Sequence, residues 1–302
     1  MKKVTKYIII AIVVLAIIAV LVILNINKNN RTNKDDEAVK IVTSFYPMYI
    51  IAENITDGAE NIELVNMADV NVGCLHDYTL TTEDMKKVEN ADIFIMNGLG
   101  MESFIEKILT SNQDMNIIDS STEAQNVILS EDGVNAHIWT SIDNYILQVK
   151  YISKELINKN QENAEVYQKN TDEYVQKLEE LKNEFETKLQ NLDGKKAICL
   201  NEVFGYMGQE LGMEMTTIAT DHEESTMSAD MLSSIIDKVK QENIQIIIID
   251  KNDNKANAET IANETGAKIL ELNSGMTGEL DKDAYINQIR ENLNVLEQVE
   301  IN

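Results

Sequence analysis

Residues 163–192 run without a proline or a glycine, and their apolar side chains return at the spacing of a helix. Val166, Tyr167, Tyr174, Leu178, Leu181, Phe185, Leu189 and Leu192 recur near every third and fourth position. At about 1.5 Å per residue, one helix here spans roughly 45 Å. That is longer than an ordinary globular helix and suits a strut between two lobes. Two bundled helices with a break, or a short coiled coil, fit the same pattern, so the flanking sequence has to discriminate.

Both flanks alternate. Before the long segment, strands are predicted at 39–45, 61–66, 91–96 and 115–119, with helices at 48–55, 82–90, 102–109 and 142–158. Pro47 opens the first helix, and Thr81 or Thr82 caps the second. After it, strands are predicted at 196–200, 244–250 and 267–272, with helices at 205–211, 228–242, 257–265 and 283–297; Ser228 is a plausible cap. Strands alternating with helices imply βαβ units. The predicted class is α/β: two βα lobes with mainly parallel sheets joined by one long linking helix. The expected divisions are an N-terminal lobe at 40–158, the linking helix at 159–193 and a C-terminal lobe at 194–302.

Residues 1–24 read as an N-terminal transmembrane signal anchor. Lys2, Lys3 and Lys6 precede an unbroken apolar run at 8–24, with no small-residue cleavage site and no cysteine after it. A cleaved secretory signal is the alternative. Either places the folded part outside the cytoplasm. Residues 25–39 are too polar to fold alone and read as a tether. The net charge of −25 excludes a nucleic-acid surface, which needs clustered Lys and Arg.

The chain has three histidines, His76, His137 and His222. Two lie beside turn residues with an aromatic two positions on: His76 before Tyr78, His137 before Trp139. Imidazole is the commonest protein ligand for borderline divalent metals, so the pair invites a metal-site reading. The two cysteines, Cys74 and Cys199, make no disulfide framework.

Several segments together resemble one family. Residues 40–49 match its opening strand and turn. Gly73-Cys-Leu-His-Asp-Tyr78 matches its first ligand motif, residues 91–102 its next strand and turn, Ala136-His-Ile-Trp139 its second ligand motif, and Phe204-Gly-Tyr206 part of its third. The chain is similar to the extracytoplasmic solute-binding proteins of zinc and manganese ABC importers, from Lys40 to the C-terminus. The resemblance implies two lobes bridged by a rigid helix, with a divalent transition metal, zinc or manganese, held at their interface. It also implies delivery to an ABC permease in the membrane by a monomeric ectodomain. Three histidines and one carboxylate are the usual ligands, two from each lobe.

His76 and His137 fall on the two first-lobe positions. The other lobe departs, with Asn201 where the family has histidine and Asn273 where it has the last carboxylate. A neutral amide oxygen is a poor zinc donor beside imidazole or carboxylate. Thr140-Ser-Ile-Asp143 replaces a turn that carries proline in the family, and the histidine-rich loop of some members is absent. Several accounts stay open. Cys74 and Cys199, each two residues before a ligand position, can complete a soft site with the histidines, with Glu202 or His222 contributing instead. The cysteines can form a disulfide across the lobes. The metal can be lost altogether, or be held weakly by the histidines, the asparagines and water.

The leading function is a membrane-tethered metal-binding solute-binding protein. A relative that has lost its cargo and acts as an interaction or sensor protein is the alternative. A metal-dependent hydrolase, with Glu202 as base, lacks any His-Glu-x-x-His cluster.

Overall fold

The computed structural model describes residues 38–73, 75, 78–105, 108, 115–130, 133–218 and 227–299. The expected anchor and most of the tether, as well as Cys74, His76 and His222, lie outside the described residues. The chain divides into residues 1–39 with 61–63, and residues 40–60 with 64–302. The second unit holds the helix and both lobes apart from Val39 and residues 61–63.

The first lobe is built on β1 (Val39–Thr43), β2 (Ile62–Asn66), β3 (Ile93–Met96) and β4 (Asn116–Asp119), in the order β2-β1-β3-β4. β3 runs parallel to β1, with Ile41 opposite Ile93, and to β4, with Ile95 opposite Ile118. α1 (Tyr46–Thr56) begins two residues earlier than expected, because Ser44 and Phe45 bend out of the strand and Pro47 sits in the first helical turn. α2 (Thr82–Glu89) opens on a capping box between Thr81 and Asp84. A small hairpin, β5 (Leu129–Ser130) with β6 (Gly133–Val134), precedes α3 (Ile142–Lys159), which Ser141 caps.

The long segment folds as α4 (Ala164–Lys188). It is a single helix, flanked by short 3₁₀ turns at Gln161–Asn163 and Gln190–Leu192. Its buried side chains, Tyr167, Thr171, Tyr174, Leu178, Leu181 and Phe185, step by four and three along one stripe. That stripe meets α1 and α3 of the first lobe and, from the second, α8 (Ala284–Glu297).

The second lobe repeats the plan with β7 (Lys196–Cys199), β8 (Glu214–Thr217), β9 (Ile246–Asp250) and β10 (Lys268–Leu272), in the order β10-β9-β7-β8, all pairs parallel. Buried on both faces, β9 reads as consecutive isoleucines, Ile246 to Ile249, closed by Asp250. Ile247 and Ile249 pack with Ile235 and Val239 of α6 (Ala229–Glu242) and Ile261 of α7 (Ala256–Thr265). The short helix α5 (Gly205–Glu210) follows β7.

Aromatic side chains join the three parts. The Tyr145 ring of α3 stacks on Tyr285 of α8 with centroids 3.5 Å apart and planes 4° from parallel. The Tyr145 and Tyr174 hydroxyls hydrogen-bond at 3.1 Å. Among the described residues no helix is long and apolar enough to cross a membrane.

Candidate metal centre

In parallel α/β sheets, ligands bind beyond the carboxyl ends of the strands, where connecting loops diverge. A cavity of about 400 Å³ lies at such ends in both lobes. Asn71, Val72, Gly73 and His137 wall it from the first lobe; Asn201, Glu202, Asp250 and Asp253 face them from the second. A larger cavity of about 600 Å³, bordered by Ile142, Phe185 and Met207, has neither histidine nor cysteine on its walls.

A buried amide network positions His137. Asn97, just past β3, donates from Nδ2 to the Ala136 carbonyl at 2.8 Å. Gln148 of α3 donates in turn to Asn97 Oδ1 and to Ser120 Oγ. Asn135 then folds back on its neighbour. Its Oδ1 accepts the His137 backbone N–H at 2.9 Å and stands 3.0 Å from His137 Nδ1. Because the backbone N–H must meet an acceptor, the amide presents oxygen to the ring, an arrangement that suits the tautomer with the proton on Nδ1. In that tautomer Nε2 carries the lone pair, the form a metal-binding imidazole takes.

His76 and Asp77 lie outside the described residues, but Leu75 and Tyr78 on either side are anchored. Leu75 is fully buried, and the Tyr78 backbone N–H donates to the Leu75 carbonyl at 3.0 Å. The Tyr78 hydroxyl donates to Asp84 Oδ2 at 2.7 Å.

Across the cleft the lobes are pinned by direct bonds. Asn135 Nδ2 donates to the Glu202 carbonyl at 2.7 Å, and the Tyr206 hydroxyl to the Asn135 carbonyl at 2.7 Å. Trp139 Nε1 donates to the Ser274 carbonyl at 2.9 Å. A Glu202 carboxylate oxygen stands 3.8 Å from His137 Nδ1.

Asn201 and Asn273, expected at ligand positions, both commit their amide oxygens to backbone N–H groups. Asn201 Oδ1 accepts the Val203 N–H at 3.1 Å, and its Nδ2 donates to Asp253 Oδ2 at 2.8 Å. Asn273 is 2 % exposed, its Oδ1 accepting the Gly275 N–H at 3.0 Å; its Nδ2 has no hydrogen-bond partner among the described residues. The disulfide account is not met, because Cys199 is a free thiol. Cys199 lies fully buried, its Sγ 3.7 Å from Asn201 Oδ1, and burial pushes the thiol up to about 12. It sits at the last position of β7, a layer beneath the cleft surface that Asn201 forms. Among the described residues no three of His, Cys, Asp and Glu converge as a complete metal cage.

Sequence reasoning missed Asp250 and Asp253. Asp250 ends β9 and is 2 % exposed; Oδ1 accepts the Asn252 N–H at 2.7 Å and Oδ2 the Ser274 N–H at 3.0 Å. It brackets two loops of the cleft wall. Its place at the carboxyl end of a buried central strand was the available signal.

Comparison with known proteins agrees with this architecture. Over 242 residues the chain is 27 % identical to the manganese-binding lipoprotein MntA of Halalkalibacterium halodurans, covering 78 % of this chain and 79 % of that one. Over 280 residues it is 26 % identical to the high-affinity zinc uptake system protein ZnuA of Bacillus subtilis, covering 86 % and 87 %. The solute-binding protein FpvC from Pseudomonas aeruginosa, solved in complex with Mn2+, superposes with a TM-score of 0.77 at 23 % identity over 87 % of this chain and 98 % of that one. The family model for ZnuA, the periplasmic component A of the zinc-uptake complex, matches residues 41–299, and the chain belongs to that family.

Proposed function

We propose that this protein is the metal-binding solute receptor of a zinc/manganese-type ABC importer: it takes a divalent ion into the cleft between its lobes and passes it to a membrane permease. The observation that carries this reading is the oriented His137, nearly buried, its ring held through Nδ1 on the wall of a cavity that carboxylates face from the other lobe. His76 is the companion ligand, supported by the family position and by Asn71–Gly73, just ahead of it, which wall the same cavity.

The work is binding and release, with no bond made or broken. Affinity comes from desolvated donors on rigid lobes, and the direct bonds across the cleft keep their geometry. We place the folded part as a monomer outside the cytoplasm, tethered through residues 1–39. The domain limits at 40–158, 159–193 and 194–302 belong to the same reading.

The test is thermal unfolding of the purified full-length chain, stripped of metal and then given excess Mn2+ or Zn2+. An ion that binds only the folded state raises the midpoint. The reading expects that rise in the wild type, and its loss in His137→Ala and His76→Ala. No rise with either ion overturns it.

A further inference from the structure

We infer that Glu202 and Asp253 supply the second lobe's donors to the metal, and that Asn201 holds Asp253 in place. This deepens the cargo reading above and rests on it. The two positions from which the family draws these ligands are occupied here by Asn201 and Asn273. Both spend amide oxygens on nearby backbone N–H groups, at Val203 and Gly275.

The second lobe's wall of the cleft nonetheless keeps carboxylates. Glu202 is the residue after Asn201. Its backbone carbonyl is pinned by Asn135, the residue that also orients His137, and its carboxylate stands 3.8 Å from His137 Nδ1, one rotamer change from the Nε2 side of the ring. Asp253 closes the turn after β9, its backbone N–H donating to the Asp250 carbonyl at 2.9 Å. Asn201 donates to one of its oxygens. The third carboxylate of the wall, Asp250, has both oxygens committed to backbone N–H groups and serves as a bracket.

The Glu202 side chain is 24 % exposed and Asp253 is exposed, so both have room to rotate onto an entering ion. Rotamer changes of this kind are common on binding. Cys199, enclosed beneath Asn201, gives the second lobe no soft donor at the cleft surface. Imidazole from one lobe and carboxylate from the other form a nitrogen–oxygen set. Carboxylate suits manganese, imidazole suits zinc, and thiolate selects cuprous ion. The carboxylates should therefore matter more to Mn2+ than to Zn2+.

Calorimetric titration of the full-length chain with Mn2+ and with Zn2+ tests this, using wild type, Glu202→Gln, Asp253→Asn, Asn201→Ala, the Asn201→Ala/Asp253→Asn double variant, and His137→Ala. Each carboxylate variant should weaken Mn2+ by about tenfold or more, and Zn2+ by a smaller factor. Their metal-free unfolding midpoints should match the wild type. Asn201→Ala should weaken Mn2+ alone but add nothing once Asp253 is already asparagine, which a merely structural role would not produce. If wild type binds, His137→Ala does not, and both carboxylate variants stay within about twofold of wild type, the assignment is overturned while the cargo reading stands. If wild type binds neither ion, both fall.

Discussion

Asn135 Oδ1 accepts the His137 backbone N–H at 2.9 Å and lies 3.0 Å from Nδ1 of the same residue. One amide oxygen thus sets both the backbone turn and the ring orientation of His137, the imidazole on the cleft wall among the described residues. The other end of that amide reaches across to the Glu202 carbonyl at 2.7 Å, so the group that orients His137 also fixes the second lobe's approach.

Asn135→Ala should therefore cost metal affinity without touching a donor. Groups that orient a metal-binding histidine are worth about ten- to a hundredfold. Asn135→Asp keeps an acceptor for Nδ1–H but loses the donation to Glu202, and should fall between Ala and wild type. Titration with Mn2+ or Zn2+ orders the three; equal affinities would mean that the amide does not position the ring.

Glu102 gives the fold a pH dependence. The side chain is 1 % exposed, with Oε1 accepting the Asn97 N–H at 2.7 Å and Oε2 the Gly98 N–H at 3.0 Å. Burial outweighs these bonds and pushes its pKa up from 4.5 to about 7. The folded state keeps this proton where the unfolded chain has lost it. Its contribution to stability is full below about pH 4.5, declines as pH rises towards about 7 and is gone above that, a difference of about 3 kcal/mol. Urea unfolding near about pH 5 and about pH 8 should show wild type losing stability across the interval. Glu102→Gln should lack this component of the change; an identical loss in the variant would assign it to other groups.

Gly98 sits at the same turn with φ +89°, a region that costs an L-residue about 1–2 kcal/mol. An added Cβ would also come within 2.7 Å of three Asp119 and Ser121 side-chain atoms. Asp119 Oδ1 is held by the Ser121 N–H and hydroxyl, so it cannot swing aside cheaply. Gly98→Ala should lower stability by about 2–4 kcal/mol, read from urea midpoints. A near-neutral result would mean that the turn adapts.

Much of this architecture was legible because it is local. The strand–helix alternation, the Ser228 cap and the stripe of α4 are periodic patterns over neighbouring residues. Other parts were not. The edge strand β8 is four residues of Glu, Met and Thr, and the hairpin of β5 and β6 has two residues a side, too short for periodicity to register. The long helix stops at Lys188 because a tight turn at Gln190–Leu192 buries Leu189 and Leu192 as well as a helical turn would. The partnership of Asn201 with Asp253 depends on β7 and β9 pairing with Cys199 opposite Ile248, which places Asn201 level with Asp250 and the turn behind it. No local pattern carries a contact between segments about fifty residues apart.

The stack of Tyr145 on Tyr285 predicts how firmly the lobes are joined. Both rings are fully or almost fully buried, and the Tyr285 hydroxyl donates to the Trp139 carbonyl at 2.9 Å, two residues beyond His137. Tyr285→Phe leaves the stack and the shape intact but strands that carbonyl, at a cost of about 1–2 kcal/mol. Tyr285→Ala removes the ring between α3 and α8 and should cost about 3–5 kcal/mol. The surface pairs that join α4 to α8 and its cap, Lys177 with Asp283 and Arg290 with Glu184, are exposed and contribute at most about 1 kcal/mol each, so they do not compensate. Hydrogen exchange of the backbone amides at Trp139 and Thr140 should then rise in Tyr285→Ala more than in Tyr285→Phe. Unchanged protection in both would show that the aromatic junction is not what steadies the His137 turn.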